Sequence, residues 1–172
     1  MDSDESLFER LLAGDMAAFD RLYERYERPL FGFVRLRVGD AEAEDVLHEA
    51  FMAVLRERER RSEVRSFRAW LYQVANNLCR NRSRSQKRAA AARVDVADVA
   101  EPGADAALDE HQRTERLRRA VARLPQPLAE VYRLRAAGMS YDELATALDV
   151  PLGTVKSRMH EMVKWLREEI AR

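Results

Sequence analysis

The chain of 172 residues has few of the residues that build disulfides, metal clusters and membrane spans. Its one cysteine, Cys79, excludes an internal disulfide and any thiolate zinc cluster built by this chain alone. The three histidines, His48, His111 and His160, lie in no metal-ligand spacing. No apolar run approaches the roughly 20 residues that a membrane-spanning helix needs. We therefore expect no metal, no other cofactor and no membrane span.

A net charge is also absent, because 30 acidic residues balance 30 basic ones. Binding to nucleic acid can therefore be inferred only from how the charges are distributed along the chain. The acidic N-terminal run MDSDESLFER lacks the basic-then-apolar layout of a secretory signal, which predicts a soluble cytoplasmic protein. Glycine and proline are scarce while Ala, Leu, Arg and Glu dominate, so we expect an all-α fold.

Residues 140–166 predict two helices joined by a tight turn, which is a helix-turn-helix. The first helix has an apolar face at three-and-four spacing, formed by Tyr141, Leu144, Ala145 and Leu148. Ser140 precedes this helix and Glu143 follows three residues later, which is the capping-box arrangement. Asp149 and Pro151 end the pattern, because Asp tolerates a left-handed turn and Pro cannot continue the helix.

The second helix of this pair is expected to start near Leu152 and to carry two different faces. Its inward face is apolar, formed by Leu152, Val155, Met159, Met162 and Leu166. Its outward side near the start carries hydroxyl, basic and imidazole groups, on Thr154, Lys156, Ser157, Arg158 and His160. These groups suit the DNA major groove, because Lys and backbone N–H groups bind phosphates while Arg and hydroxyls reach base edges. The alternative is an αα-hairpin with a solvated charged face.

Residues 65–94, here called the acid-free stretch, contain no acidic side chain. Their positive charge comes from Arg65, Arg68, Arg80, Arg82, Arg84, Lys87, Arg88 and Arg93. A helix is predicted within the stretch by the apolar spacing of Phe67, Trp70, Leu71, Val74, Ala75 and Leu78. A solvated helix normally mixes both signs of charge, so we interpret the stretch as a phosphate-facing surface. The alternative is a basic face that serves only solubility.

Further helices are predicted upstream of the acid-free stretch. Ser3 or Asp4 can cap a short helix that ends near Gly14, and Asp15 can cap the next one. Pro29 predicts either a break or the first turn of another helix.

Composition divides the chain into two parts. Residues 41–56 form a strongly amphipathic segment, whereas residues 94–111 are acidic and almost free of large apolar side chains. The latter segment is expected to be a flexible linker. We predict two small helical domains, over residues 1–93 and 112–172, with the helix-turn-helix in the second.

Four runs in this order and spacing resemble the extracytoplasmic-function (ECF) sigma factors of bacterial RNA polymerase: FDRLYERY, DAEAEDVLHEAFMAVL, FRAWLYQVANNLCRN and GMSYDELATALDVPLGTVKSRMH. The resemblance covers residues 15–88 and 112–171. It implies that the first domain binds core RNA polymerase through the helix over residues 41–56. The outward groups implied in that contact are Asp45, His48, Glu49 and Met52.

The resemblance also implies two contacts with promoter DNA and control by an anti-sigma factor. Recognition and melting of the −10 element would involve Arg65, Asn76, Asn77, Arg80, Arg84 and Arg88, while Phe67 and Trp70 are expected in the core. The −35 element would be read by Thr154, Lys156, Ser157, Arg158 and His160. The chain departs from residues frequent in the family at His48, Asn81, Glu161 and Val163.

Two other classes of function compete with this interpretation. A stand-alone dimeric helix-turn-helix regulator would bind a palindromic site, but it leaves the acid-free stretch unexplained. An enzyme would need a phosphate-cradling Gly loop, a metal-ligand spacing or a nucleophile with a partner histidine, and none is present. We therefore expect no catalytic residue and no small-molecule substrate. Cys79 is either a redox sensor, its thiolate favoured by nearby Arg, or a half-buried structural thiol.

Overall fold

All regular secondary structure in the described part of the chain is α-helical. A computed structural model describes residues 2–60, 64–90 and 110–171, without the side chains of residues 58–60, 84–90 and 110–115. The helices are α1 (Asp4–Leu12), α2 (Met16–Val38), α3 (Asp40–Arg60), α4 (Phe67–Ala90), α5 (Glu110–Ala122), α6 (Gln126–Ala136), α7 (Tyr141–Leu148) and α8 (Leu152–Ile170). The all-α prediction is confirmed. Most of the predicted linker, residues 94–109, lies outside the described residues.

Helices α1 to α4 are here called the first bundle, and α1 and α2 begin at caps that the sequence predicts. The Ser3 hydroxyl accepts a hydrogen bond from the Ser6 N–H at 3.1 Å. The Asp15 carboxylate accepts one from the Ala17 N–H at 3.0 Å. Gly14, between the two helices, has a φ of 105°, which only glycine adopts readily. The turn between α1 and α2 therefore follows from local sequence alone.

Pro29 neither breaks α2 nor starts a new helix, and on this point the sequence prediction was wrong. A proline inside a helix removes one backbone hydrogen bond and costs about 3 kcal/mol. The buried face of α2 runs past the proline without interruption, through Leu22, Tyr26, Leu30, Phe33 and Val34. Each large apolar side chain that is fully buried contributes roughly 1.5–3 kcal/mol. Packing along this face therefore offsets the local cost of the proline.

The centre of the first bundle is apolar and aromatic. Val46 of α3 and Leu71 of α4 are fully buried, as is Phe67. The Phe67 ring lies 5.1 Å from that of Phe8 and 5.7 Å from that of Tyr26, measured between centroids. These contacts confirm that Phe67 belongs to the core rather than to a base-stacking surface.

Helices α5 to α8, here called the second bundle, contain the predicted helix-turn-helix. Both halves of the capping box are present, because the Glu143 N–H donates to the Ser140 hydroxyl at 3.2 Å and the Ser140 N–H donates to the Glu143 carboxylate at 2.8 Å. Asp149 adopts the left-handed conformation, with a φ of 52°, between α7 and α8. Leu144 and Val155 are fully buried, so these inward positions are confirmed.

Two residues predicted on the inward faces of this motif are exposed. The side chains of Tyr141 and Leu152 keep 38% and 36% of their accessible surface. Each is the first residue of its helix. Side chains at a helix start lean towards its N-terminus, past the end of the neighbouring helix, so correct spacing does not suffice for burial there. The Arg135 guanidinium instead lies over the ring of Tyr141, with 5.8 Å between the Arg135 Cζ and the ring centroid.

The two bundles pack against each other, with α7 lying along α4 in the most extensive helix–helix contact of the described residues. A single apolar cluster joins Leu71 and Ala75 of α4 with Leu144, Ala147 and Leu148 of α7. A smaller apolar cluster lies within the second bundle alone, around Leu128 and Met162. No described helix is both long and apolar enough to cross a lipid bilayer.

Candidate nucleic-acid and partner interfaces

The start of α8 is an open polar surface. Lys156, Ser157 and His160 are exposed, whereas Thr154 and Arg158 are half-buried. The Ser157 hydroxyl donates to the Gly153 carbonyl at 3.0 Å, so its lone pairs remain the groups that can face a ligand. The helix follows Pro151 without a side-chain cap. Uncapped backbone N–H groups at a helix start favour an anion such as a DNA phosphate.

Positive charge at the start of α8 is not neutralised by the protein. Neither Lys156 nor Arg158 forms an ion pair within the described part of the chain. Their side chains can therefore bind phosphate or base edges without first breaking an internal contact. This arrangement supports the sequence hypothesis of a major-groove surface.

The candidate −10 surface on α4 is different, because much of it is occupied. Arg65 and Asn77 are exposed, but Arg80 forms an ion pair with Asp149 of the second bundle, with 2.7 Å between nitrogen and oxygen. Asn76 keeps only 1% of its accessible surface. The side chains of the remaining two candidates, Arg84 and Arg88, lie outside the described residues.

Asn76 links three helices through its amide group. Its Nδ2 donates to the Ala147 carbonyl of α7 at 3.2 Å. Its Oδ1 accepts a hydrogen bond from Arg37 of α2. The Arg37 guanidinium also pairs with Glu130 of α6, at 2.6 Å. A side chain with both amide groups engaged cannot contact DNA until these bonds are broken.

Two more arginines of the acid-free stretch form ion pairs with acidic residues of other helices. Arg68 pairs with Glu143 of α7 at 3.0 Å. Arg82 pairs with Glu49 of α3 at 2.6 Å. The sequence analysis missed these partners, because only the capping role of Glu143 has a local signal.

The candidate polymerase-binding residues of α3 form one exposed face. Asp45 keeps 74% of its side-chain surface and Met52 is also exposed, as are His48 and Glu49. Their spacing of three and four residues places them in a row along the helix. Beside this row, an open groove of about 550 Å³ lies between α2 and α3, and its lining includes Tyr23 and Phe31. An acidic row beside a groove with both charged and aromatic lining suits a basic, amphipathic helical partner.

Cys79 is buried within α4, and burial raises the pKa of its thiol to about 11. Nearby Arg37 lowers this pKa, but less than burial raises it. A thiol with so high a pKa is almost entirely protonated at neutral pH and reacts slowly with oxidants. The structure thus favours a structural thiol over a redox sensor. No group of His, Cys, Asp and Glu able to hold a metal ion occurs among the described residues.

Comparison with known proteins links both bundles to one family. The family model of Sigma-70 region 2 matches residues 22–89, and that of Sigma-70 region 4 matches residues 114–166. The RNA polymerase sigma-H factor of Pseudomonas aeruginosa is 32% identical over 171 residues, which cover 92% of this chain and 89% of that protein. The ECF RNA polymerase sigma-E factor of Escherichia coli is 31% identical over 169 residues, covering 91% of this chain and 88% of that protein.

Two solved structures share the fold. CnrH, in complex with the cytosolic domain of CnrY, matches 97% of this chain and 96% of its own with a TM-score of 0.63. The sigma factor RpoE of Bartonella quintana, in complex with the anti-sigma factor NepR, matches 89% of this chain and 96% of its own with a TM-score of 0.66. Both are 22% identical to this chain. Because the two sigma-factor relatives exceed 30% identity across about nine-tenths of this chain, the protein belongs to the sigma-70 family, among its extracytoplasmic-function sigma factors.

Proposed function

We propose that the protein is a promoter-specificity subunit that binds bacterial core RNA polymerase and directs initiation at promoters with defined −10 and −35 elements. The observation that carries the proposal is the pairing of two chemically different exposed surfaces on two bundles. One is the unneutralised basic start of α8, and the other is the acidic row on α3. The protein would act as a binding factor rather than an enzyme, in the cytoplasm where polymerase and promoter DNA are found.

The −35 element would be read by the start of α8 in the major groove. Arg158 and Ser157 can reach base edges, while Lys156 and the helix N-terminus bind phosphates. Thr154 and His160 flank these groups. Glu161 and Val163 stand at positions where the family frequently has arginine, so binding would depend on the first turns of the helix.

The −10 element would be recognised and melted by α4 and the residues before it. Melting requires no catalysis, because unstacked bases can be held in pockets while positive charge binds the separated strand. The candidate groups for this contact are Arg65, Asn76, Asn77, Arg80, Arg84 and Arg88. Asn81, where aspartate is usual in the family, adds to the low acidity of this face.

The first domain, residues 1–93, would carry the polymerase and −10 contacts, and the second, residues 112–172, the −35 contact. Residues 94–111 would connect them. An anti-sigma factor is the expected regulatory partner, since the solved relative from Bartonella quintana is held by one. In binding polymerase and in recognising promoter DNA, the protein would form and break no covalent bond.

The decisive experiment combines purified protein with core RNA polymerase and maps transcription start sites on a genomic promoter library. Co-elution with the polymerase, together with new and defined start sites, is the expected result. The aligned start sites would reveal both promoter elements directly. Absence of co-elution, with tight binding of the protein alone to a palindromic site, would instead favour a dimeric regulator.

The acidic row on α3 gives a sharper test of the polymerase contact. Asp45→Arg reverses a charge on a side chain that keeps 74% of its surface, and it should weaken polymerase binding by about tenfold or more. It also breaks a surface ion pair with Arg82 at 3.6 Å, a loss too small to unfold the protein. Glu24→Arg makes the same charge change on the exposed side of α2 and serves as the matched control. Equal polymerase affinity in the two variants would show that the row is not the contact.

A further inference from the structure

A groove of about 380 Å³ opens between α2 and α6, and Tyr72 of α4 also lines it. Its walls are mainly apolar and include Phe33, Leu36 and Leu134, of which Leu36 is 46% exposed. Small-molecule sites in proteins are concave, mainly apolar and about 300–1,000 Å³ in volume. None of the residues that line this groove belongs to the candidate polymerase, −10 or −35 surfaces. The groove therefore has the form of a small-molecule site that the proposed function does not use.

Gly32, inside α2, leaves this groove open. A Cβ atom at this position would meet no other atom within 4 Å, apart from the helix backbone and the neighbouring residues. The backbone is helical here, so its conformation does not require glycine either. Glycine is also one of the weakest helix formers. Packing and backbone geometry among the described residues thus give no reason for this glycine, whereas a ligand lying against α2 would.

Two arginines supply the charge of the groove. Arg35 of α2 and Arg133 of α6 line it, and no acidic side chain among the described residues does so. Arg35 pairs with Asp40 at 3.6 Å, but both side chains are more than half exposed, so this pair is weak. Arg133 forms no ion pair within the described part of the chain. Burial lowers the pKa of Arg133, the charge of Glu130 raises it, and the charge of Arg35 lowers it. An anion bound between the two arginines would be attracted by both.

Tyr72 contributes an uncharged aromatic surface to the groove. It is buried, and its ring packs edge-on against that of Phe33, with 5.1 Å between the centroids. Burial raises the pKa of Tyr72 to about 12, although the charge of Arg68 lowers it, so the hydroxyl stays protonated at neutral pH. The groove thus offers apolar contacts together with positive charge and no negative charge. This combination complements a molecule with an apolar body and one acidic group.

We propose that this groove binds a small apolar carboxylic acid in its ionised form. The carboxylate would lie between Arg35 and Arg133, because guanidinium groups bind carboxylates through paired, charge-assisted hydrogen bonds. The hydrocarbon or aromatic part would lie against Phe33, Leu36 and Leu134. The volume suits one small molecule, whereas a helical partner presents anchor side chains over two turns and needs a longer groove. This site goes beyond the proposed function and does not depend on it.

Decanoate, an apolar carboxylate, tests the site in the full chain by nuclear magnetic resonance. Below the concentration at which it forms micelles, it should shift the backbone amide signals of Gly32, Leu36 and Arg133 in a saturable way. The uncharged molecule 1-decanol has the same hydrocarbon chain. We expect it to bind at least about tenfold more weakly, since it cannot form the charge-assisted hydrogen bonds. Equal affinity for the two molecules, or no saturable shift of these signals, would overturn the proposal.

Two variants test where the ligand binds. Arg133→Gln removes one charge and should weaken decanoate binding by about tenfold while leaving 1-decanol binding unchanged. Arg116→Gln makes the same change at an exposed position of α5 and is the matched control. Gly32→Leu fills the groove and should abolish binding of both molecules. Circular dichroism should show that its fold is kept, because leucine is a good helix former and its Cβ has room.

Two further outcomes would contradict the proposal. Equal decanoate affinity in the wild type and in Gly32→Leu would place the ligand elsewhere. A short peptide of one phenylalanine followed by two aspartates is the competing probe, and tighter binding of this peptide than of decanoate would assign the groove to a protein partner. None of these measurements uses polymerase, so they decide the ligand site even if the proposed function fails.

Discussion

The two candidate DNA surfaces of this protein carry similar types of side chain but differ in availability. The start of α8 presents Lys156 and Arg158 without internal counterions. On α4, by contrast, Arg80 is paired and Asn76 is buried against the second bundle. Both surfaces combine basic and amide or hydroxyl groups on an amphipathic helix. On α8 the charged candidates have no internal ion pair, whereas on α4 Arg80 and Asn76 are engaged by the second bundle.

This difference shows what a run of like charges does and does not predict. The acid-free stretch predicts that α4 carries an excess of positive charge. It does not predict which residues neutralise this charge, because the carboxylates of Glu143 and Asp149 lie about 70 residues further along the chain. Local composition therefore reports the charge of a surface, whereas the packing of distant helices determines whether the surface is free.

The largest expected effect is a loss of stability when the packing of α7 against α4 is weakened. Leu144→Ala removes a fully buried side chain from the apolar cluster shared by α4 and α7, so it should lower the free energy of unfolding by about 2–5 kcal/mol. Chemical denaturation monitored by circular dichroism measures this change. Tyr141→Ala, at an exposed position on the same helix, is the control and should cost far less. Similar losses for both variants would contradict the packing of α7 described here.

A second prediction concerns base recognition by the exposed start of α8. Arg158→Ala should weaken binding of the polymerase complex to a −35 element by about 1–3 kcal/mol if Arg158 makes a bidentate base contact. Arg167→Ala removes the same charge near the other end of α8 and should leave base preference unchanged. Binding is measured by fluorescence anisotropy on matched and single-base-substituted duplexes. Equal discrimination between duplexes before and after Arg158→Ala would reject direct readout by this residue.

Most of the local structure was predictable from the sequence, for physical reasons that act over a few residues. The caps at Ser3 and Asp15 and the box of Ser140 with Glu143 depend on side chains within three positions of the groups they bind. The left-handed Asp149 likewise follows from turn chemistry. These features need no tertiary context.

The sequence predictions were wrong where contacts between distant parts of the chain determine the structure. Pro29 is tolerated because the apolar face of α2 continues on both sides of it. Tyr141 and Leu152 have the right spacing for burial but are the first residues of their helices, where 38% and 36% of their surface stays exposed. The buried ion pair between Arg37 and Glu130 could not be predicted, because both residues resemble ordinary solvated residues of amphipathic helices. The sequence supplies the candidate site residues, and the structure shows which of the described ones are accessible.

The smallest effect concerns the ionisation of Glu143, which connects the covered surface to the helix-turn-helix. Burial alone would raise the pKa of Glu143, but hydrogen bonds from Ser140, Ser66 and Arg68 together hold it below the ordinary value of 4.5. A carboxylate whose pKa is lowered in the folded state stabilises that state above its unfolded pKa. This contribution is therefore present above about pH 4.5 and is lost as the pH falls through the lower folded value.

Glu143→Gln separates this charge from the cap. Glutamine can still accept the Ser140 N–H, so the capping box is kept, but it cannot titrate or form the ion pair with Arg68. We expect the urea midpoint of the wild type to fall more steeply than that of Glu143→Gln as the pH is lowered from 5 to 3. Glu24→Gln, at an exposed position on α2, should follow the wild type. Parallel pH profiles for all three proteins would mean that the bonds between Glu143 and the first bundle do not form in solution. The contacts of α7 with α4 would then be weaker evidence that the two candidate DNA surfaces differ in availability.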